Sequence, residues 1–175
     1  MSRRVVKLGG SVLRAGQIGP TLKVWLEEND DLQNIIVVGG GSFADVVREL
    51  QGLQNLGEQQ SHELACHAMS LNAKVVSCLI PEAEFCDRIS QLENSQSSNI
   101  IFDAAQWTIG KSDIPASWDF TSDSIAARLA SELDAAELVL IKSRMGSIGE
   151  PGFVDAHFTK EARSVKSVRV CTLNA

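Results

Sequence analysis

Apolar residues follow two rhythms along this chain. Short runs without alternation, at 5–8, 35–38, 75–80, 100–102, 138–142 and 168–173, predict strands buried on both faces. Between them the spacing is helical. Ile18, Leu22, Trp25 and Leu26 recur after a Gly19-Pro20 start, and Phe43, Val46, Val47, Leu50 and Leu53 follow an approximate Ser42/Asp45 capping box. After the break at Gly57, Leu64, Ala68 and Leu71 mark a third helical face, and Pro81 would open a short helix. The clearest stripe, Ile125, Ala126, Leu129, Ala130 and Leu133, predicts a helix over 121–133 with Thr121 or Ser122 as its cap. A further short helix is expected over 159–165. Residues 94–98 and 104–118 read as loops, the second with at most a short turn.

Strands alternating with helices predict an α/β fold, with a mainly parallel sheet covered on both faces and a ligand site at the C-terminal strand edge. With 175 residues and 44% hydrophobic content, the chain suits one domain over 1–175. A net charge of −6 and the lack of a basic stripe argue against nucleic acid. No apolar stretch reaches the roughly 18 residues of a membrane span, and none resembles a signal peptide. A soluble, cytoplasmic protein is expected, with no membrane partner. Cys66, Cys78, Cys86 and Cys171 lack metal-type spacing and read as reduced packing thiols; His62 and Cys66, at i and i+4, could share a face but offer too few ligands for a metal.

The chemistry concentrates where the apolar runs end. Lys7 sits inside the first run and Lys142 closes the fifth, where an ammonium needs either an anion or a route to water. Singly, each lysine can snorkel past a strand end. Together with Gly9, Gly10 and Ser11 after the first run and Gly39, Gly40 and Gly41 after the second, they describe a site for several phosphates, lined by free amide N–H groups at a helix start. Asp123, in a helical first turn among Thr121, Ser122 and Ser124, favours the helix dipole alone, yet it could also hold two lysines in place. Competing motifs are weaker. Gly110-Lys111-Ser112 lacks the first glycine of a P-loop, since position 105 is Ala105, and no G-x-S-x-G elbow accompanies Ser11 or Ser42. Gly39, Gly41 and Ala44 do fit a dinucleotide loop, though no acidic residue follows at the usual distance.

VVKLGGS at 5–11, IVVGGGSFAD at 36–45 and TSDSIAARLA at 121–130 resemble, in order, three signatures of the amino acid kinase family. The resemblance implies a three-layer αβα sandwich. It puts Lys7 on the transferred phosphoryl group, Asp123 between the lysines, and Gly9, Gly10, Ser11, Gly39, Gly40 and Gly41 around phosphate and substrate; Ser122, beside Asp123, is a further candidate for phosphate or substrate binding. It further implies ATP with Mg²⁺ as cofactors, a small phosphorylated acceptor and a homo-oligomer. SWDFTSDSIAARLA at 117–130, LIKS at 140–143 and GFVDAHF at 152–158 resemble the small branch that includes the kinase acting on aminomethyl-furanmethanol phosphate in methanofuran synthesis. Many family members hold the nucleotide with an acidic D-x-x-G motif after the fifth strand. Here that place falls to Ser143, Arg144 and Gly146. Three functions are thus carried forward: a kinase with Lys7, Asp123 and Lys142 as catalytic groups, a non-catalytic phosphate or nucleotide binder, and a dinucleotide-dependent oxidoreductase.

Overall fold

A computed structural model describes residues 2–173. In chain order it contains β1 (Arg3–Leu8), a 3₁₀ turn (Gly10–Arg14), α1 (Ile18–Glu28), β2 (Gln33–Val38), α2 (Gly41–Gln54), α3 (Glu58–Leu79), β3 (Glu84–Cys86), α4 (Ile89–Asn94), β4 (Asn99–Phe102), α5 (Ala105–Ile109), α6 (Ser122–Glu132), β5 (Glu137–Ile141), α7 (Phe158–Glu161) and β6 (Val168–Cys171). The strands form one sheet in the order β3-β4-β2-β1-β5-β6, and every recorded pairing is parallel.

Alternation along the central strands sorts the core into two layers. Val5, Ile35, Val37, Ile100, Leu138 and Leu140 face α6 and α7, whereas Val6, Leu8, Ile36, Val38, Val139 and Ile141 face α1 and the second half of α3. The result is the three-layer αβα sandwich. Lys7 has the parity of Val5, so its side chain emerges on the α6 side. Among the described residues no helix is long and apolar enough to cross a membrane.

Several expectations are corrected. Residues 75–80 are not a strand: 75–79 complete α3, where Met69, Asn72, Ala73 and Val76 are buried while Val75 and Leu79 remain outside. A short apolar run fits either element, and extending a helix already formed requires no new nucleus. The third strand is Glu84–Cys86, and Pro81 lies in a turn rather than starting a helix. Residues 105–109 of the expected loop form α5. Ser42 and Asp45 make no capping box, because α2 is preceded by Gly40 and has no side-chain cap. The largest departure is in packing. No residue of α2 is fully buried, and Phe43, Val46, Leu50 and Leu53 lie exposed, as do Leu64 and Leu71 on α3. The half-buried face of α2 carries Ala44, Val47 and Gln51 instead.

Candidate active site

β1 lies between β2 and β5, and the site is built where these three strands end. Leu8 is in register with Val38 on one side and Ile141 on the other, so the Gly9–Ser11 turn, the Gly39–Gly41 turn and Lys142 leave the sheet side by side. Asp123 reaches the same place from the first turn of α6. Its Oδ1 lies 2.9 Å from Lys7 Nζ, an ion pair outside hydrogen-bonding geometry, and its Oδ2 accepts a 2.7 Å hydrogen bond from Lys142 Nζ. Lys142 also donates to the Phe153 carbonyl at 2.7 Å. Lys7 and Asp123 are only 5% and 6% exposed, which excludes the reading of Lys7 as a side chain running out to water.

Opposed effects set the protonation of this trio. Burial pushes the Asp123 carboxyl up, but the charges of Lys7 and then Lys142 outweigh it and hold the group below the usual carboxylate range. For Lys142, burial and the neighbouring Lys7 charge lower the pKa, with Asp123 opposing them. One carboxylate between two ammonium groups leaves a net positive centre.

The two glycine turns interlock. A Cβ on Gly10 would lie 2.2 Å from the Gly41 nitrogen and 2.6 Å from the Gly39 carbonyl oxygen, and Gly41 itself has φ of +50°. The spacing shared with dinucleotide loops therefore serves here to let Gly10 approach. Ser122 Oγ lies 2.9 Å from where a Cβ of Gly39 would stand, which puts the start of α6 against the same turn. Two supporting residues escaped sequence reading. Asn72, buried on α3, donates to the Gly39 carbonyl at 2.7 Å. Asp155 Oδ2 accepts from the Thr121 N–H at 2.9 Å, the Thr121 hydroxyl at 2.7 Å and the Ser124 N–H at 3.0 Å, and its Oδ1 accepts from the Ser124 hydroxyl. The cap of α6 is thus Asp155, not the side chain of Thr121 or Ser122. Nothing marked Asn72 in the sequence; Asp155 lay within the GFVDAHF stretch but with no assigned partner.

Two cavities flank this centre. The larger, about 390 Å³, opens between α2, α3 and the 116–122 segment and reaches Ser11, Gly40, Gly41 and Ser122. The smaller, about 100 Å³, lies on the other side along Ser11, Thr21, Lys142, Ser143 and Leu173. Ser11 borders both, and its hydroxyl donates to Ser143 Oγ at 3.4 Å. Arg144 and Gly146 are not brought into either. Arg144 pairs with Glu150 at 2.6 Å, and Gly146 packs under the Phe153 ring. No group of three or more His, Cys, Asp or Glu side chains suited to a metal occurs among the described residues. Both Asp123 oxygens are taken by lysines, so among the described residues this centre offers no free carboxylate to a Mg²⁺ ion.

The model of the amino acid kinase family matches residues 2–146. A [5-(aminomethyl)furan-3-yl]methyl phosphate kinase of Methanocaldococcus jannaschii is 30% identical over 139 residues, covering 78% of this chain. The matched region spans 63% of that relative's length. Among solved structures, the uridylate kinase of Archaeoglobus fulgidus superposes with a TM-score of 0.66 at 19% identity, covering 95% of this chain and 89% of that one. UMP kinase from Ureaplasma parvum gives 0.69 at 14% identity, over 99% and 89%. At such identities these structures establish the likeness of fold.

Proposed function

The chain belongs to the amino acid kinase family, and from that premise we propose that it is an ATP-dependent kinase for a small phosphorylated acceptor, with [5-(aminomethyl)furan-3-yl]methyl phosphate as the specific candidate. The observation that carries this reading is Asp123 bridging Lys7 and Lys142 at the ends of adjacent strands, beside two interlocked glycine turns. The name of the relative in Methanocaldococcus jannaschii supports the choice of acceptor.

In the mechanism, an oxygen of the acceptor phosphate attacks the γ-phosphorus of ATP, the bond to the β–γ bridging oxygen breaks, and ADP leaves. Charge spreads over the equatorial oxygens in the loose transition state, so positioning and electrostatics dominate. Lys7 and Lys142 supply positive charge there, and Asp123 keeps their ammonium groups aimed. The attacking phosphate oxygen is already ionised at neutral pH, so no general base is required. Amides of Gly10, Ser11, Gly40 and Gly41 bind and orient the phosphates, those of Gly9 and Gly39 being engaged by the Ile141 and Leu8 carbonyls at 2.9 and 2.8 Å, with the Ser11 and Ser122 hydroxyls at their edge. The acceptor occupies the larger cavity and the nucleotide the side of Ser143, with Arg144 and Gly146 approaching only if their loop rearranges. Mg²⁺, carried by ATP, supplies charge neutralisation of its phosphates.

A cytoplasmic location and a homo-oligomer belong to the same proposal, the first supported by four free cysteines and the second by the apolar row on α2 and α3. Formation of ADP that depends on acceptor tests the activity. Lys7→Met should lower kcat by about two to three orders of magnitude, the scale of losing one preorganised charge-stabilising group. Unchanged turnover would remove Lys7 from the mechanism, and nucleotide binding without transfer to any acceptor would favour the non-catalytic phosphate binder.

A further inference from the structure

Phosphoryl transfer uses Lys7, Asp123 and Lys142 and leaves unused the segment that holds two of them in place. Residues 153–157 follow a left-handed turn at Gly152, φ +75°, and meet three parts of the site in succession. Phe153 comes first. Its carbonyl accepts from Lys142 Nζ at 2.7 Å, and its buried ring has that ammonium 5.1 Å from its centre and the Arg144 guanidinium at 5.2 Å. Two residues on, the Asp155 carboxylate takes the N–H groups of Thr121 and Ser124 and both of their hydroxyls. Two further on, His157 donates its N–H to the Asp119 carbonyl at 3.3 Å and sets its ring 5.6 Å from that of Phe120, in the wall of the larger cavity.

The middle contact bears most on the chemistry. The Thr121 side chain does not cap α6, so Asp155 is what satisfies the amides at its start. Asp123 lies in that first turn, between the two amides that Asp155 holds. A frayed turn would carry its carboxylate away from both ammonium groups, whose contacts at 2.9 and 2.7 Å depend on how the helix begins. Lys142 has the matching problem. Register with β1 fixes the backbone of β5 as far as Ile141, and beyond it a flexible four-carbon stem has only Asp123 and the Phe153 carbonyl to anchor its ammonium. Burial and then the Lys7 charge lower the Lys142 pKa, while Asp123 and then Asp155 oppose them. Across the Phe153 ring, Arg144 is paired with Glu150.

We propose that Asp155 is a positioning residue for phosphoryl transfer: from one short strap it fixes the turn that carries Asp123 and seats the Phe153 carbonyl against Lys142, so that carboxylate and ammonium meet where the phosphoryl group passes. This rests on the reading of Lys7, Asp123 and Lys142 as the transfer centre. Asp155 lines neither of the two cavities, and its effect travels through Asp123 and Lys142. Substrate affinity belongs to the glycine turns and the cavities. Loss of the strap therefore falls on kcat and spares KM.

Asp155→Asn keeps the shape of the side chain, leaves one acceptor oxygen and removes the charge. With ATP and [5-(aminomethyl)furan-3-yl]methyl phosphate it should lower kcat by about ten- to a hundredfold, the scale of a misplacement near 1 Å, with each KM within about twofold of wild type. The alkaline limb of kcat should move to lower pH. So should the titration of Lys142 itself, followed by carbon NMR on protein labelled at lysine Cε, with the resonance identified by its loss in Lys142→Arg. Glu137→Gln provides the structural comparison: it breaks pairs with Arg4 and Arg169 at the opposite edge of the sheet, and should lower the melting temperature without moving kcat or the Lys142 titration. If Asp155→Asn does not fold, Ser124→Ala takes one hydroxyl from the same carboxylate and should lower kcat about threefold at unchanged KM. A folded Asp155→Asn with wild-type kcat or a wild-type Lys142 titration overturns the proposal, as does wild-type kcat in Ser124→Ala. A wild type that forms no ADP with that acceptor defeats the proposed activity and leaves the Lys142 titration to decide the strap; an active wild type with unmoved variants keeps the transferase and removes the strap.

Discussion

Replacing Asp123 with Asn isolates the charge at the centre of the site while nearly preserving shape. In the wild type the carboxylate lies 2.9 Å from one ammonium and 2.7 Å from the other. At an effective dielectric of about 20, each attraction is worth about 6 kcal/mol before the desolvation of both partners is set against it. Removing one partner from a buried pair costs a net of about 3–5 kcal/mol, because the remaining charge is left buried and uncompensated. For a chain of this size that corresponds to a fall in Tm of about 6–20 °C at pH 7. The sign with pH is fixed by the depressed carboxyl. Its stabilisation is complete above the unfolded pKa of about 3.9 and is lost as pH falls through the lower folded value. The gap between wild type and Asp123→Asn should therefore narrow in acid. Inorganic phosphate should recover part of the loss in the variant, since an anion can replace the missing charge. Thermal melts at pH 7 and near pH 3, with and without phosphate, provide the assay. A variant melting within about 2 °C of the wild type at pH 7, or a gap indifferent to acid, refutes the reasoning.

Other perturbations reach the supports. Asp155→Ala removes the acceptor for two backbone N–H groups at the start of α6 and should cost about 1–2 kcal/mol, read as a lower denaturation midpoint. Gly10→Ala drives a methyl into the Gly41 backbone and should abolish the thermal shift produced by ADP, whereas Gly16→Ala, with open space around its Cβ, should stay within about 0.5 kcal/mol of wild type. If the apolar row on α2 is the face between copies, Val46→Glu with Leu50→Glu should convert an oligomer to a particle near 18.9 kDa in sedimentation. A wild type already sedimenting at that mass refutes the oligomer.

Chemistry was more legible in this sequence than packing. Lys7 stood out because a charge inside an apolar run demands an explanation, and the glycines stood out because a turn between strand and helix rarely needs three of them. Asp123 and Lys142 took their meaning from position relative to those elements, and the structure brings all four features together. The 75–80 run suits a strand in sequence because so short an apolar run carries no period of its own; the burial of Val76 with its helical neighbours Ala73 and Asn72 decides for the helix. The stripe on α2 is legible as a helical face but not as an exposed one, because amphipathicity reveals that a face is apolar without revealing what covers it. Asp155 was beyond reach for a different reason. Its partners stand more than thirty positions away, and a capping residue is recognised in sequence only when it is adjacent.

The contact between Gly10 and Gly41 also bears on how a ligand would be received. Two glycine turns that could have been separate loops are wedged backbone to backbone, so neither can swing without displacing the other. Their amides are set in direction when the sheet assembles, and the entropy of fixing them is spent in folding rather than at the moment of binding. Phosphate recognition at this centre should therefore proceed with little loss of main-chain freedom in these turns, and in hydrogen exchange the Gly9 and Gly39 amides, which donate to the Ile141 and Leu8 carbonyls, should be as slow without ligand as the strands that precede them.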